Sequence, residues 1–373
     1  MRILVTGAAG FIGLNVVEQA LGRGADVVAL SLGPLPPVAT AAFAGRRGPA
    51  GEAREVAAPG RLTVVTADVR DAAALRRLLA THRPAGVVHA AAQTPGPGVD
   101  PARATTIIDV NVAGTAALLR AAHEAGVARV VLTSSSAVYG DAPFGTAPVT
   151  EDTDPTPSSL YGFTKLAAER LAVQARAVDG LDVIRARLTA IFGPWEHDTG
   201  VRDTLSPPLQ IAQAALSAGG GDGDGGATTL IADAGSRDWT HSTDVARALL
   251  LLLDAKAPQH DVYNLAVGAT WHPERLCRAL AARIGGWSWQ RVGDGTDAAA
   301  PTRAPTIAYN DRLDRPRRSP PSAARFIAEF GPVFRPVGQS VDAYADWAVA
   351  NRAAVVPAIR PSTTADSRPL PDR

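Results

Sequence analysis

The sequence predicts an α/β fold of the Rossmann type, a doubly wound parallel sheet, followed by a smaller C-terminal domain. Three observations lead to this prediction. Short β-branched runs alternate with longer helical segments over the first half, the runs are apolar throughout rather than alternately apolar and polar, and the alternation of runs and helices ends near residue 190. Continuous apolar strands are typical of parallel sheets that helices cover on both faces.

The predicted elements of the first half follow one another as strand and helix units. Six apolar runs are predicted as strands: 2–6, 26–30, 62–66, 86–90, 129–133 and 182–186. Four segments between or after them have helical patterns: 11–22, 71–81, 104–125 and 160–178. Repeated units of this kind build a parallel sheet, because each helix carries the chain back to start the next strand.

Three segments have the composition of loops. Residues 33–60 are rich in Pro, Gly and Ala and are predicted to form a mobile insertion. The stretch GGGDGDGG at 219–226 is predicted to be a flexible loop, since it lacks the ligand spacing of an EF-hand. The C-terminal stretch PAIRPSTTADSRPLPDR at 357–373 is expected to be disordered.

Composition narrows the class of protein. A chain of 373 residues with 46% hydrophobic residues can bury a large core in one domain or two, and because aromatics are only 5% that core must consist mainly of Ala, Val, Leu and Ile. The 37 basic residues nearly balance the 36 acidic ones, so no net charge favours nucleic acid or a membrane surface. A lone cysteine, Cys277, the absence of a signal peptide and the absence of a long apolar run predict a soluble cytoplasmic protein.

The segment VTGAAGFIG joins the first strand to the first helix and contains Gly7, Gly10 and Gly13. Glycine allows a tight turn and close approach of a ligand to the backbone, and a helix N-terminus offers free N–H groups to an anion. The alternative is a purely structural turn. Its position between a strand and a helix, at the head of a βαβ series, favours a dinucleotide site.

The segment SSLYGFTKLAAERL places Tyr161 and Lys165 four residues apart at the start of a predicted helix. Side chains at this spacing lie on one helix face. Taken alone, the pair fits a partly packed tyrosine beside a solvated lysine.

Several motifs in order along the chain resemble the extended short-chain dehydrogenase/reductase family, the group of nucleotide-sugar epimerases, dehydratases and their relatives. The resemblance covers residues 1 to about 350. The motifs are the G-x-x-G-x-x-G turn, TADVRD (66–71), HAAAQ (89–93), DVNVAGT (109–115), TSSSAVYG (133–140), the Tyr and Lys above, and SRDWTHSTDVA (236–246).

The resemblance implies a dinucleotide cofactor and the residues that bind it. These are Gly7, Gly10, Phe11, Ile12, Gly13, Ser31, Asp68, Val69, Ala90, Ala91, Ala92, Asn111, Tyr161 and Lys165. Family members that use NAD usually have an acidic residue where this chain has Ser31, and no arginine follows directly to receive the 2′-phosphate of NADP. NAD is therefore favoured, with NADP not excluded, and no metal is expected.

The resemblance also implies the chemistry. A free tyrosine hydroxyl is too weak an acid to act as a base near neutral pH, and a neighbouring cation stabilises the phenolate. Tyr161 is thus expected to exchange a proton with a substrate hydroxyl, Lys165 to support it and hold the cofactor ribose, and Ser135 to hydrogen bond the reacting oxygen. The alternative for the serines at 134–136 is a strand-end turn.

Departures from the family pattern bear on the substrate. Ser136 and Ala137 replace the acidic pair of the dehydratases, which argues against sugar dehydration, and Ala190 replaces an asparagine that touches the sugar diphosphate in nucleotide-sugar epimerases. Arg237 matches an arginine that meets a substrate phosphate, although an ion pair with a nearby acid is the alternative. The substrate residues expected from the resemblance are Thr94, Ser135, Ser136, His197, Arg202 and Arg237.

These patterns together predict an NAD(P)-dependent enzyme that oxidises and re-reduces a secondary alcohol on a carbohydrate, an epimerase first and a net dehydrogenase or reductase second. A non-catalytic dinucleotide sensor is the third hypothesis. The predicted Rossmann domain spans 1–188 with a return at 240–264, the substrate-binding region spans 189–239 and 265–352, and a tail spans 353–373. Relatives suggest a homodimer through helices 104–125 and 158–178, with no nucleic-acid or membrane partner.

Overall fold

Twelve strands are present in the computed structural model, which describes residues 1–44, 60–94, 101–140, 147–198, 205–218, 227–232, 236–292, 306–307 and 319–356. Their bounds are β1 (Arg2–Thr6), β2 (Asp26–Ser31), β3 (Leu62–Thr66), β4 (Gly86–His89), β5 (Arg129–Ser135), β6 (Val183–Leu188), β7 (Ile191–Phe192), β8 (Ala227–Ala232), β9 (Thr240–His241), β10 (Val262–Leu265), β11 (Trp287–Val292) and β12 (Thr306–Ile307).

Seven of these strands form a parallel sheet in the order β10-β6-β5-β4-β1-β2-β3. The chain starts in the middle at β1, runs outward to β3, then returns to β4 and runs to the other edge. This reversal lies between β1 and β4, where Thr6 is in register with His89. The predicted Rossmann sheet is confirmed, and ligands of such sheets bind at the carboxyl ends of strands beside the reversal.

Helices cover both faces of this sheet. All α-helices of the described residues, including those of a second group of elements after β6, have the bounds α1 (Phe11–Gly22), α2 (Pro37–Ala44), α3 (Ala72–His82), α4 (Pro101–Ile108), α5 (Gly114–Glu124), α6 (Leu160–Asp179), α7 (Pro207–Ala218), α8 (Ser242–Asp254), α9 (Glu274–Ala281), α10 (Ala324–Phe330), α11 (Val337–Ala350) and α12 (Arg352–Val355). Along β1, Ile3 and Val5 face one core and Leu4 faces the other. Burial on both sides explains why residues at successive positions of a central strand are apolar, as Ile3, Leu4 and Val5 are.

Two of the predicted helices begin at residues that follow an N-cap side chain. Asp71 accepts a hydrogen bond from the N–H of Ala74 at 2.9 Å, so α3 starts at the next residue. Ser159 accepts one from the N–H of Gly162 at 3.1 Å and starts α6. Asp and Ser are favoured N-caps because their oxygens bind helix N–H groups that lack a main-chain partner.

The prediction of a helix over 104–125 is confirmed in extent, but the helix is not a regular α-helix. The structure has α4, then a π-helix at Asp109–Ala113, then α5. A π-helix adds one residue to a turn and shifts the direction of the side chains that follow. Apolar periodicity did not reveal it, because the helical pattern continues on both sides. It carries Asn111, which belongs to the candidate site.

The prediction of a mobile insertion over 33–60 is wrong for its first part. Residues 37–44 form α2, in which Ala39 is buried and the ring of Phe43 packs edge-on against Trp195 at a centroid distance of 5.5 Å. Alanine and phenylalanine supply enough apolar surface to anchor this helix despite the neighbouring prolines. Residues 45–59 of the insertion lie outside the described residues.

A second group of elements follows β6. β8 lies between β11 and β12 in a parallel sheet, and β7 pairs with β9. A separate core joins this group and includes Phe192, Trp239, Trp271 and Tyr344. Many of the chain's few aromatic residues are thus concentrated in this second core. The amino-acid composition alone gave no indication of where in the fold they would lie.

The ends of the predicted loops need one correction. Residues 353–356 were assigned to the tail, but they lie in α12 or directly after it, and Val355 is buried against the second group. The predicted loop 219–226 and residues 357–373 lie outside the described residues. Within the described part of the chain, no helix is long and apolar enough to cross a membrane.

Candidate active site

The glycine turn lies at the carboxyl end of β1, beside the reversal of strand order. Gly7 has a φ of +66°, and a Cβ there would lie 2.7 Å from main-chain atoms of Ala90 and Ala91. A Cβ on Gly13 would lie 2.1 Å from the carbonyl oxygen of Gly7. Because both clashes involve main chain, the turn requires glycine at these two positions.

The start of α1 is open to a ligand. Gly10 is the N-cap, and no side chain caps the helix. Phe11 is buried and Ile12 packs against the core, so the main chain of this first turn is what the helix end presents. A Cβ on Gly10 would meet only the carbonyl oxygen of Gly7, at 3.2 Å. Uncapped N–H groups and the positive end of the helix dipole fit the pyrophosphate of a dinucleotide.

The residues expected at the adenosine end differ in charge. Ser31 ends β2, is buried and donates a 2.5 Å hydrogen bond to the carbonyl oxygen of Gly33. Asp68 lies beyond β3, and the guanidinium of Arg70 lies 2.6 Å from its carboxylate. This side-chain hydrogen bond holds the pKa of Asp68 below its usual value. Ser31 therefore presents no charge to the ribose, and the charge of Asp68 is balanced by Arg70.

The apolar residues predicted to bind the cofactor line the same edge. Val69 is buried, and a Cβ on Gly114 would lie 2.9 Å from its Cγ2, so α5 approaches this loop closely. Ala90, Ala91 and Ala92 follow β4 and are half-buried. Small side chains after β4 leave room at the point where Gly7 approaches.

Asn111 ties the π-helix to this edge. It is buried, its Oδ1 accepts the N–H of Gln93 at 2.7 Å, and its Nδ2 donates to the carbonyl oxygen of Gln93 at 2.9 Å and to Thr164 Oγ1 at 3.0 Å. Thr164 Oγ1 donates in turn to the carbonyl oxygen of Tyr161 at 2.9 Å. Asn111 therefore connects the segment after β4 to the first turn of α6.

Tyr161 and Lys165 lie on one face of α6. The Nζ of Lys165 lies 5.6 Å from the centroid of the Tyr161 ring and donates a 2.9 Å hydrogen bond to the carbonyl oxygen of Thr133 in β5. Lys165 is buried, whereas Tyr161 is half-buried. A buried ammonium that is fixed to the sheet places a positive charge beside the phenol, which the solvated lysine of a surface pair would not do.

The serine segment packs against the same helix. Ser135 ends β5, and its Oγ accepts the N–H of Ala137 at 3.1 Å, which starts a 3-10 helix at Ser136–Tyr139. A Cβ on Gly162 would lie 2.5 Å from the carbonyl oxygen of Ala137. The first turn of α6, with Tyr161, thus lies directly against this segment. Ser135 and Ser136 are both half-buried.

A buried ion pair behind these residues was not identified from the sequence. Glu169 is 1% exposed and accepts hydrogen bonds from Ser134 Oγ at 2.6 Å and from Arg187 Nη2 at 2.8 Å. Arg187 Nη1 also donates to Tyr139 Oη at 2.9 Å. The spacing was visible in the sequence, since Glu169 lies four residues beyond Lys165 and so shares its helix face.

The predicted substrate residues are more dispersed. Arg237 is exposed, and its main chain pairs with Trp271 through hydrogen bonds of 3.1 and 2.8 Å. His197 is half-buried and its Nδ1 donates to the carbonyl oxygen of Trp195 at 2.9 Å. Thr94 is half-buried after β4. Arg202 lies outside the described residues.

The position of the missing asparagine is apolar. Ala190 is half-buried and packs against the core of the second group, and its carbonyl oxygen accepts the N–H of Thr240 at 2.8 Å. The side chain at this position therefore offers no hydrogen bond to a substrate. Within the described part of the chain, no group of three or more His, Cys, Asp or Glu could hold a metal ion.

Curated relatives of the chain are enzymes of sugar nucleotides. It is 33% identical over 291 residues to a UDP-glucose 4-epimerase of Mycolicibacterium smegmatis, covering 76% of this chain and 83% of the relative. It is 30% identical over 311 residues to a dTDP-4-dehydro-6-deoxy-D-allose reductase of Streptomyces bikiniensis, covering 81% and 86%.

Solved structures show the same fold. MoeE5 in complex with UDP-glucuronic acid and NAD aligns with a TM-score of 0.64 and 27% identity, over 94% of this chain and 100% of that one. The UDP-glucose 4-epimerase of Thermus thermophilus with NAD aligns with a TM-score of 0.67 and 24% identity, over 94% and 99%.

The resemblance drawn from the sequence motifs is confirmed by these matches, as is the prediction of an enzyme with NAD as its cofactor. The match to the family reaches from β1 to the residue after β10 and so includes the whole seven-stranded sheet. With residues 3–266 matched, the chain belongs to the NAD dependent epimerase/dehydratase family.

Proposed function

We propose that the chain is an epimerase of a nucleotide sugar, which removes and restores hydrogen at a secondary alcohol carbon with NAD held in the glycine turn. The observation that carries this proposal is the 5.6 Å approach of the Lys165 ammonium to the Tyr161 ring, on the edge of the sheet that also holds Gly7. The UDP-glucose 4-epimerase relative supports the reaction class.

The side chains divide the chemistry between them. NAD, held at the turn of Gly7, Gly10 and Gly13, would supply the hydride acceptor for the alcohol carbon and the donor that restores the hydride. The phenolate of Tyr161 takes the hydroxyl proton as the C–H bond breaks, and the charge of Lys165 stabilises that phenolate. Ser135 donates a hydrogen bond to the carbonyl oxygen that forms. Tyr161 returns the proton when hydride adds to the opposite face, so the substrate is neither oxidised nor reduced overall.

We propose that residues 189–239 and 265–352 bind the substrate and that Arg237 contacts its anionic part. The antiparallel bridge to Trp271 fixes the main chain of Arg237, so its guanidinium extends from a rigid base. Arginine suits phosphate and carboxylate because it donates two parallel hydrogen bonds. MoeE5, whose structure contains UDP-glucuronic acid, supports a nucleotide sugar as the substrate class.

A net dehydrogenase or reductase is the second candidate. Ala190 favours it, because one side-chain hydrogen bond expected for the diphosphate of an epimerase substrate is missing. The reductase among the relatives belongs to this second class. The cofactor distinguishes the two, since an epimerase retains it through each cycle, whereas a dehydrogenase must exchange it.

The test is an assay of the purified protein with UDP-sugars and dTDP-sugars. For an epimerase we expect NAD to copurify, the 4-epimer to appear by NMR and free NADH to stay at background. Stoichiometric NADH from the same substrates supports the second candidate. Bound NAD with no turnover of any sugar nucleotide, sugar acid or polyol would favour a dinucleotide sensor.

We also propose a cytoplasmic homodimer. Ile108 of α4 and Phe163 of α6 are 45% and 57% exposed, on two helices that contact each other. A second copy laid on this face would cover both side chains. Light scattering of wild type and Phe163→Glu tests the dimer, with a monomeric variant expected, and fractionation of cells tests the compartment.

A further inference from the structure

His89 has a buried ring that the proposed chemistry does not use. It is the last residue of β4 and is 1% exposed. Its Nδ1 lies 2.7 Å from Thr6 Oγ1, and its Nε2 lies 3.0 Å from Thr115 Oγ1. Thr6 is the last residue of β1, the strand beside β4, and Thr115 is the second residue of α5, so the ring joins a neighbouring strand to a helix.

The directions of the neighbouring hydrogen bonds assign one tautomer to His89. Thr115 Oγ1 donates its single proton to the carbonyl oxygen of Asn111 at 2.7 Å, so it can only accept from the ring. The proton of the neutral ring is therefore on Nε2, and Nδ1 accepts from Thr6 Oγ1. Burial, with the charge of Lys165, lowers the pKa of His89 to about 3, and the ring stays neutral at physiological pH.

Both ends of this chain of hydrogen bonds reach the candidate active site. On one side, Thr6 directly precedes Gly7 of the cofactor turn, and its Oγ1 accepts a hydrogen bond from the N–H of Ala91 at 3.3 Å. On the other side, Thr115 holds the main chain of Asn111, whose side chain bonds Thr164, and Thr164 bonds the carbonyl oxygen of Tyr161. The glycine turn and the helix with the phenol are thus linked through one imidazole.

We infer that His89 is a positioning residue that fixes the distance between the glycine turn and the first turn of α6. It acts through Thr6 on the site that holds the nicotinamide cofactor and through Thr115 and Asn111 on Tyr161. The inference rests on the proposed function for its effect on turnover, but its effect on cofactor binding stands without any substrate. A residue that merely filled the core would affect both sides only through general stability.

Because Nδ1 of His89 bonds Thr6 and Nε2 bonds Thr115, substitutions can remove one hydrogen bond and keep the other. The shorter amide of His89→Asn reaches the place of Nδ1, where its oxygen accepts from Thr6. The longer amide of His89→Gln reaches the place of Nε2, where its nitrogen donates to Thr115. Thr6→Val and Thr115→Val each remove one hydroxyl at nearly constant volume. Thr6→Val removes the hydrogen bond to Nδ1 of His89, and Thr115→Val removes the hydrogen bond to Nε2, while the ring stays in place.

The experiment measures the Kd of NAD by calorimetry, kcat and KM at saturating NAD, and Tm for all four variants. We expect His89→Asn and Thr115→Val to lower kcat at least ten-fold while the Kd of NAD stays within three-fold of wild type. We expect His89→Gln and Thr6→Val to raise the Kd of NAD at least five-fold with a smaller loss of kcat.

The same measurements can overturn the inference. If the variants fold and all keep kcat and Kd within two-fold, His89 fills space only. If Kd and kcat change together in proportion to Tm, the effect is one of stability. If both His89 variants fail to fold, the Kd of NAD and the kcat of Thr6→Val and Thr115→Val test the inference by the same criteria. If wild type binds NAD but turns over no sugar nucleotide, the proposed function fails, while the Kd values of the His89→Gln and Thr6→Val variants still test the inference.

Discussion

Ser134 donates a 2.6 Å hydrogen bond to Glu169, which joins the strand that ends at Ser135 to the helix that carries Tyr161 and Lys165. The same carboxylate receives two hydrogen bonds from Arg187 in β6, at 2.9 and 2.8 Å. All three side chains are buried. The position of Ser135 relative to Tyr161 is therefore set by the charge of Glu169, which is hydrogen bonded to the neighbouring Ser134 and not to Ser135 or Tyr161.

Breaking this pair should cost more stability than breaking an exposed one. Glu169→Gln leaves the Arg187 charge buried without its counterion, and loss of one partner of a buried pair costs about 3–5 kcal/mol. Ser134→Ala removes one hydrogen bond to the carboxylate and should cost about 1–3 kcal/mol. Urea unfolding measures both. Glu124→Gln, in an exposed ion pair with Arg76, is the matched control and should change little. Equal effects at the two glutamates would contradict this view of the network.

Tyr161→Phe should abolish turnover while NAD remains bound, because only the group that transfers the proton is lost. Loss of a general acid–base group lowers kcat by about 10²–10⁴-fold. Steady-state kinetics and calorimetry check the two parts. Val178→Thr, which is exposed at the far end of the same helix, is the control and should retain activity. Wild-type turnover in Tyr161→Phe would return the Tyr161–Lys165 pair to a packing role.

Gly10→Glu should abolish NAD binding in a folded protein. The backbone at Gly10 has an ordinary φ of −83°, and a Cβ has only one close contact, so the substitution places a carboxylate at the helix N-terminus without breaking the turn. Gly13→Ala, by contrast, would force a Cβ onto the Gly7 carbonyl oxygen and should impair folding of the turn itself. Calorimetry and circular dichroism distinguish the two, with Gly285→Glu, where a Cβ meets nothing within 4 Å, as the control.

Ser31→Asp should shift cofactor preference toward NAD. The serine hydroxyl is held by Gly33 and neither repels nor attracts a 2′-phosphate, so wild type should discriminate weakly between NAD and NADP, whereas a carboxylate repels the phosphate. The ratio of the two Kd values measures the shift, and Ser31→Asn is the neutral control. A wild-type preference in the thousands would mean that another residue recognises the ribose.

Acid should destabilise the protein between pH 6.5 and 5. His89 titrates near 6.5 in the unfolded chain, but its pKa is about 3 in the folded one because burial disfavours the cation. Burial also lowers the pKa of His241. The unfolded state then binds more protons over this range, so stability present above pH 6.5 is lost as pH falls, by up to about 1.4 kcal/mol per pH unit for each histidine. Urea unfolding at pH 5.0, 6.0 and 7.5 gives the slope, which should be smaller in His89→Asn. An identical slope in that variant would contradict the assignment.

The sequence predicted the sheet more completely than the site. β1, β3 and α1 have the predicted bounds, because strand burial and the glycine turn are local patterns. The π-helix around Asn111 was not predictable, since one inserted residue leaves the apolar periodicity intact on both sides. The roles of His89 and Glu169 depend on partners far along the chain, such as Thr6 and Arg187, and spacing does not reveal such pairings.

The position of β10 has a consequence for how the protein is made. β10 pairs with β6 and its Asn264 donates its N–H to Glu151 and accepts from Tyr139, yet it follows the whole chain of α7, β8 and α8. During synthesis, every residue of the proposed proton-transfer group leaves the ribosome before this edge strand does. Until β10 docks, the Tyr139 hydroxyl lacks Asn264 as its acceptor, and β6 is an open sheet edge that a chaperone or a second chain could pair with. The serine segment acquires its final support only once β10 has docked.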